Sequence, residues 1–242
     1  MIRNSWHKPC KTCEKSRMKT YIIYFILLAF SLVGCYREDS ENVNQDKIYT
    51  AYELYYNANE DITYARATFR FSHLLGTKLQ LTEPSEIRFN GVLLSFKAGK
   101  GIYENAISGF VDYGTFEFTD LEGTLYSNSI ELTPVSFPSS WGPLSHGSSS
   151  ELIWLGDVLG STETMQLTLT SQVQTESEVF TENDNGAFSM LLSAGNINDL
   201  PIGAAIGALE RVSTPALMEG TNAGGTLTGR YRALDYAVNI TE

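Results

Sequence analysis

The sequence predicts an all-β protein built from antiparallel sandwiches. Three observations carry this: apolar residues recur at every second position from Gln45 onward, turn dipeptides such as Asn90-Gly91 and Asn185-Gly186 punctuate the runs, and helical spacing is scarce. Side chains on a strand alternate between two faces, so a period of two buries one face and leaves the other in water.

The first element precedes the β pattern. From Met18 and Lys19 the chain runs through thirteen mostly apolar residues, Tyr21 to Val33. A bilayer-spanning helix needs roughly 20 such residues, so the run reads as a signal-peptide core with a cationic flank. Met18 is an alternative translation start to Met1. Upstream, Cys10-x-x-Cys13 has no second Cys or His pair at the spacing of a zinc site.

The run ends in Leu32-Val33-Gly34-Cys35. This tetrad resembles the site at which bacterial lipoprotein precursors are diacylated on the cysteine sulfur and cut just before it. The resemblance implies a signal peptide over 1–34, cleavage between Gly34 and Cys35, lipidation of Cys35, and a membrane reached through an N-terminal diacylglyceryl cysteine. Residues Tyr36-Arg37-Glu38-Asp39-Ser40 resemble the export signal of Bacteroidota surface lipoproteins, which implies export through Arg37, Glu38 and Asp39 to the outward face of the outer membrane. Residues 35–46 are expected to form a lipidated polar tether, and the alternative to an export signal at Tyr36–Ser40 is that these residues are simply solvated tether.

The strands follow in order. Tyr49, Tyr52, Tyr55 and Tyr56 crowd the first; alternation sets Tyr49 and Tyr55 on one face and Tyr52 and Tyr56 on the other, so at least one pair enters the core. From Thr63 to Phe71, Ala65, Ala67, Phe69 and Phe71 share a face opposite Arg66, Thr68 and Arg70. Ile87 and Phe89, then Asn90-Gly91, then Val92, Leu94 and Phe96 spell a hairpin, because Asn-Gly accepts the positive φ angles of a tight primed turn. Phe116 and Phe118, the turn Asp120 to Gly123, and Ile130 and Leu132 complete a first sandwich over 47–133.

Residues 134–150 change character, with three prolines, two glycines and a Ser-rich end, and read as a linker between two domains. The alternative is a long loop inside one larger sandwich. Strand patterning resumes over 151–242: Met165, Leu167 and Leu169; then Phe188, Met190 and Leu192 after Asn185-Gly186; then Tyr236, Val238 and Ile240. Gly203 to Leu209 carries alanines that suit a helix, but Gly203 and Gly207 each penalise one by roughly 1 kcal/mol relative to alanine, so a strand is expected.

The pattern Gly203-x-Ala205-x-Gly207-x-Leu209-x-Arg211, followed by Gly224-Gly225 and the strand around Tyr231, resembles tandem immunoglobulin-like modules of Bacteroidota envelope lipoproteins. The resemblance implies two antiparallel immunoglobulin-like β-sandwich domains and carries no activity with it.

Charge narrows the partners. The chain has 17 Lys and Arg against 28 Asp and Glu; six of the basic residues and one acidic residue precede Cys35, leaving 11 against 27, a net −16. Such a field repels phosphate backbones and argues against nucleic-acid binding. It also repels anionic lipid and polysaccharide. With Cys10 and Cys13 upstream and Cys35 acylated, no disulfide is available, and the 208 residues from Cys35 onward depend on their apolar core.

Catalytic groups are sparse. His73 and His146 are the histidines after Cys35, and no Gly-x-Ser-x-Gly elbow is present to place a nucleophilic serine. Glu176, Glu178, Glu182 and Asp184 form the densest carboxylate group; Glu182 and Asp184 are weak calcium candidates whose spacing fails the EF-hand pattern. Aromatics that could meet a ligand where they are exposed are Tyr49, Tyr52, Tyr55, Tyr56 and, in the linker, Trp141, with core packing the favoured role of the tyrosines. No catalytic set and no cofactor is expected. The expectation is a non-enzymatic surface lipoprotein that binds an envelope protein or a glycan, or acts as a structural module. The alternative is a carboxylate-dependent hydrolase of envelope or extracellular glycans, which needs two carboxyl groups about 5 to 10 Å apart in a cleft.

Overall fold

The alternation read from the sequence is present as paired strands in the computed structural model, which describes residues 37–242. The expected signal peptide, Gly34, Cys35 and Tyr36 lie outside the described residues. In chain order the strands are β1 (Arg37–Asp39), β2 (Ile48–Asn57), β3 (Ile62–Phe71), β4 (Lys78–Gln80), β5 (Glu86–Phe89), β6 (Val92–Leu93), β7 (Ser95–Lys97), β8 (Ile102–Ser108), β9 (Tyr113–Thr119) and β10 (Leu125–Glu131). They continue as β11 (Val135–Ser136), β12 (Leu144–Ser145), β13 (Ser150–Ile153), β14 (Leu155–Gly156), β15 (Glu163–Ser171), β16 (Ser177–Glu182), β17 (Ser189–Leu192), β18 (Gly203–Ser213), β19 (Gly225–Arg232) and β20 (Tyr236–Thr241). Among the described residues the short α-helix α1 (Ala194–Asn198) is capped by the Ser193 hydroxyl, which accepts from the Asn196 amide.

A twelve-stranded sheet is the backbone of the molecule. Its spine runs β1-β4-β3-β2-β19-β18-β15-β16, with β8 and β7 continuing from β3, and β20 and β12 from β18. A four-stranded sheet, β10-β9-β5-β6, covers the first half, and the two-stranded sheets β11-β14 and β13-β17 cover the second. Two apolar clusters fill the layers. In the first, Tyr52 stacks on Phe116 at 5.1 Å between ring centres and Phe69 packs on Phe118 at 4.7 Å. The second gathers Met165, Leu167, Leu169 and Leu209 against Leu152, Trp154, Met190 and Leu192.

Most local expectations have direct counterparts. Ala65, Ala67 and Phe69 are buried on one face of β3, and Asn90 and Gly91 both take positive φ at the β5–β6 turn. Residues 203–209 are strand, part of β18, and the small Gly207 lets Phe137 approach: a Cβ there would lie 3.1 Å from the Phe137 ring. Phe71 and Phe188 depart from their patterns and stand exposed. Phe71 is the last residue of β3 before Ser72 turns away at positive φ, and Phe188 precedes the first residue of β17.

Segment boundaries differ more. Residues 37–242 form one compact unit, and β19, from the C-terminal half, pairs in parallel with β2 over eight residues, Thr50 to Asn57. Residues 134–150 do not run as a spacer: β11 pairs with β14, β12 pairs with β20, and Val135, Phe137 and Leu144 are buried in the second cluster. Apolar side chains set among the prolines and serines give this stretch enough buried surface to join the fold. The expected tether is also folded from Arg37 on. Buried Gln45 donates to the carbonyls of Ser40 and Val43, and the Ser40 hydroxyl accepts from the Thr82 amide, so residues 37–46 pack on the sheet.

Candidate functional site

The four tyrosine candidates on β2 separate onto its two faces, as alternation requires. Tyr52 and Tyr56 are buried on the inner face of β2; Tyr49 and Tyr55 are half-buried on the outer face. Tyr52 is a core residue, stacked on Phe116. Tyr56 reaches the meeting point of the two clusters, where β2 and β19 run side by side and Tyr56 faces Tyr231 in register.

There a pocket of about 460 Å³ opens between two aromatic trios. Tyr56, Phe110 and Tyr231 pack at 5.0 to 5.3 Å between ring centres on one side. Phe137, Trp141 and Tyr236 pack at 5.1 to 5.9 Å on the other. Tyr56, Tyr231, Phe137 and Tyr236 line the pocket itself, with Val135, Pro138, Ser136 and Ser139 from the former linker. Trp141 supports the second trio without lining the pocket; its backbone amide donates to the Tyr236 hydroxyl at 3.0 Å.

Hydrogen bonds hold the rim. Leu234 and Asp235 come from the β19–β20 turn, which is stapled to the β2–β3 turn. Asn59 donates to the Ala233 carbonyl and the Asp235 carboxylate, each at 3.2 Å, accepts from the Asp235 amide at 3.0 Å, and Arg232 donates to Asp235 at 2.8 Å. Leu234 is 64% exposed at the mouth. Burial and then a 3.0 Å hydrogen bond to Asp61 push the Tyr56 hydroxyl up to about 12, so it stays protonated and neutral at physiological pH. Ring faces with a fixed carboxylate and amide at the edge form a concave, mostly apolar site with a few convergent polar groups.

The outer face of the main sheet carries a different arrangement. From Lys100 in the turn before β8, the charges Glu104, Arg66, Glu53, Arg230 and Glu210 alternate in sign across β8, β3, β2, β19 and β18. Arg66 donates to Glu104 at 2.7 Å and to Glu53 at 3.0 Å, and Arg230 bridges Glu53 and Glu210. Tyr55 and Tyr64 stack at 5.9 Å, with Arg66 over both rings and Arg230 over Tyr55. A cleft of about 420 Å³ here contains both Glu53 and Glu104. Burial alone would raise the Glu104 carboxyl, but hydrogen bonds from Arg66 and Lys100 bring it below the ordinary carboxylate range. A glycosidase acid needs the opposite, a carboxyl that keeps its proton near neutral pH.

The remaining sequence candidates are dispersed. Glu182 accepts from the amides of Asn183 and Asp184, both at 3.0 Å, which is turn chemistry; no group of three or more His, Cys, Asp or Glu placed to hold a metal occurs among the described residues. His73 is exposed in the β3–β4 loop, and the His146 ring meets the Leu200 carbonyl at 2.9 Å. Arg37, Glu38 and Asp39 form β1, and Arg37 lies over the Phe96 ring at 4.8 Å. Sequence reasoning missed Phe110, Phe137, Tyr231, Tyr236 and Asp235 as site residues. They are scattered through the sequence; the β2–β19 pairing sets Tyr231 beside Tyr56, while β8 brings Phe110 and the second half brings Phe137 and Tyr236.

No family model and no curated protein matches the chain. Seven chains of solved structures match, among them one from work on "Structural insight into host cell surface retention of a 1.5-MDa bacterial ice-binding adhesin". That match has 10% identity over 82% of this chain and 66% of the adhesin chain, with a TM-score of 0.20. The match therefore spans just under two thirds of that solved chain.

Proposed function

We propose that the protein is a lipid-anchored, non-enzymatic binding module of the bacterial cell envelope, held by Cys35 in the outer membrane, facing outward, and taking a saccharide ring of a surface glycan between its two aromatic trios. The pocket walled by Tyr56, Tyr231, Phe137 and Tyr236 carries this reading, because ring faces with a fixed polar edge match the apolar face and hydroxyl rim of a sugar. The tetrad ending at Cys35 supports the anchor, and the run Arg37-Glu38-Asp39 supports export. Hydrolysis is the less favoured reading, since the carboxylates of the outer cleft share Arg66 and Glu104 lies below the ordinary range.

The test is binding of the full chain to an array of envelope glycans, with Leu234→Glu and Asp235→Ala as rim variants. Loss of about tenfold or more in affinity is expected for both, since 1.4 kcal/mol is tenfold; the unfolding midpoint is expected to hold in Leu234→Glu and to fall somewhat in Asp235→Ala, which loses the bonds from Asn59 and Arg232. Binding that survives both substitutions, or binding confined to an envelope protein, would remove the glycan reading.

A further inference from the structure

Eleven Lys and Arg residues follow Cys35. Six of them, Arg66, Arg88, Lys100, Arg211, Arg230 and Arg232, form ion pairs with carboxylates. The other five, Arg37, Lys47, Arg70, Lys78 and Lys97, form none among the described residues, and all five lie at one end of the main sheet. Register sets three of them in a row: Arg37 faces Lys78 across β1 and β4, and Arg70 faces Lys78 across β3 and β4. Lys97 adjoins Ala98, whose carbonyl accepts from Arg37 at 3.2 Å, and the Lys47 carbonyl accepts from Ser72 at 2.6 Å.

Backbone carbonyls hold these side chains without neutralising them. Lys78 donates to the Lys100 carbonyl at 2.6 Å and Arg70 to the Gly76 carbonyl at 3.1 Å. Like charges in directly opposed strand positions are unfavourable by themselves. Beside them the β3–β4 loop lifts Leu74 and Leu75 into solvent, 51% and 86% exposed, next to Phe71. Asp39, on the same face of β1, Glu41, in the turn after it, and Asp46, next to Lys47, are exposed carboxylates nearby.

We propose that this end of the sheet is a membrane-docking face, on which Arg37, Arg70, Lys78, Lys97 and Lys47 meet anionic phospholipid headgroups while Leu74 and Leu75 enter the headgroup boundary. The orientation rests on the reading of Cys35 as the anchor. Only Tyr36 separates Cys35 from Arg37, two residue steps with a reach of about 7 Å when extended, so an anchored chain has no stalk. The net −16 does not oppose docking by this face, because charges more than about 8 Å away are screened at physiological salt. Each cation near an anionic surface strengthens binding about fivefold, and cations flanking exposed leucines fit an interfacial contact.

The experiment is co-sedimentation of the full chain with phosphatidylcholine vesicles, with and without phosphatidylglycerol, at low and high salt. The wild type is expected to prefer the anionic vesicles by at least about tenfold, and to lose that preference at high salt. The triple reversal Arg70→Glu, Lys78→Glu, Lys97→Glu should abolish the preference, and Leu74→Asp with Leu75→Asp should weaken binding to both vesicles. A preference absent in the wild type, insensitive to salt, or retained by the reversal overturns the proposal. So does capture by dextran sulfate with no preference between vesicles, which would assign the face to polysaccharide. The anchor is read separately: Cys35→Ser lowers binding to both vesicle types alike if Cys35 is acylated, and leaves their ratio to the docking face.

Discussion

Arg211 and Glu163 form a buried fork across β18 and β15. The guanidinium Nε donates to one carboxylate oxygen at 2.9 Å and Nη2 to the other, while Nη1 and Nη2 also donate to the carbonyls of Asp157 and Val158, each at 2.8 Å. Arg211 occupies a core-facing position of β18, continuing the buried row Ala205, Gly207, Leu209, and its side chain is only 4% exposed. The pair thereby fastens the loop before β15 to the centre of the sheet.

Arg211→Met should therefore destabilise the fold by about 3 to 5 kcal/mol, because it leaves the Glu163 carboxylate buried without its counter-charge. Arg211→Lys should recover little, since an ammonium cannot reproduce a planar fork that serves a carboxylate and two carbonyls at once. Urea unfolding at neutral pH reads both. A lysine variant as stable as wild type would show that charge alone, without the fork geometry, is what matters.

The same pair and the outer ladder set the response to acid. Burial raises Glu163 and Glu104, but the hydrogen bonds and charges of Arg211 and the Gly160 amide for the first, and of Arg66 and Lys100 for the second, bring both carboxyls below the ordinary range. A depressed carboxyl stabilises the folded state above its unfolded pKa, about 4.3 for Glu, and that contribution is lost as pH falls from there through the folded value. Glu104→Gln should lower stability at neutral pH by about 1 to 3 kcal/mol and flatten the decline below about pH 4.3, because it removes one titrating group. Lys100, 61% exposed, adds little to this. Thermal unfolding from pH 7 down to 3 measures it; a variant whose decline parallels the wild type would exclude Glu104 as a source.

Local chemistry was legible in the sequence and long-range pairing was not. The faces of Tyr52 and Tyr56, the burial of Ala65, Ala67 and Phe69, and the turn at Asn90-Gly91 all follow from period two and turn geometry, which involve neighbours only. The strand at Gly203 to Leu209 was legible because glycine weakens the competing helix. The pocket was not, because the parallel pairing of β2 with β19 is what brings Tyr56 to Phe137 and Tyr236, and no periodicity encodes which distant strands pair. Composition misled at residues 134–150, where prolines and serines outweighed the buried Val135, Phe137 and Leu144. The cation row was hidden for the same reason as the pocket: Arg37, Arg70 and Lys78 are scattered in the sequence and adjacent only in register.

That parallel pairing also predicts how the protein unfolds. Gly225 faces Thr50, and a Cβ at residue 225 would stand 2.2 Å from the Thr50 carbonyl oxygen, so backbone itself blocks any larger residue there. Two residues on, Leu227 is buried in the first cluster although it comes from the C-terminal half of the chain. Leu227→Ala should cost about 2 to 5 kcal/mol, and Gly225→Val should push β19 away from β2 and destabilise further. Trp141 and Trp154 both pack in the second cluster, so their fluorescence reports that half. If one sheet couples the halves, the tryptophan-monitored urea midpoint falls in Leu227→Ala even though the substitution lies in the other core. A tryptophan midpoint unmoved by Leu227→Ala, with a separate tyrosine or near-ultraviolet transition at lower urea, would mean that the two halves unfold independently and that the β2–β19 ladder does not couple them.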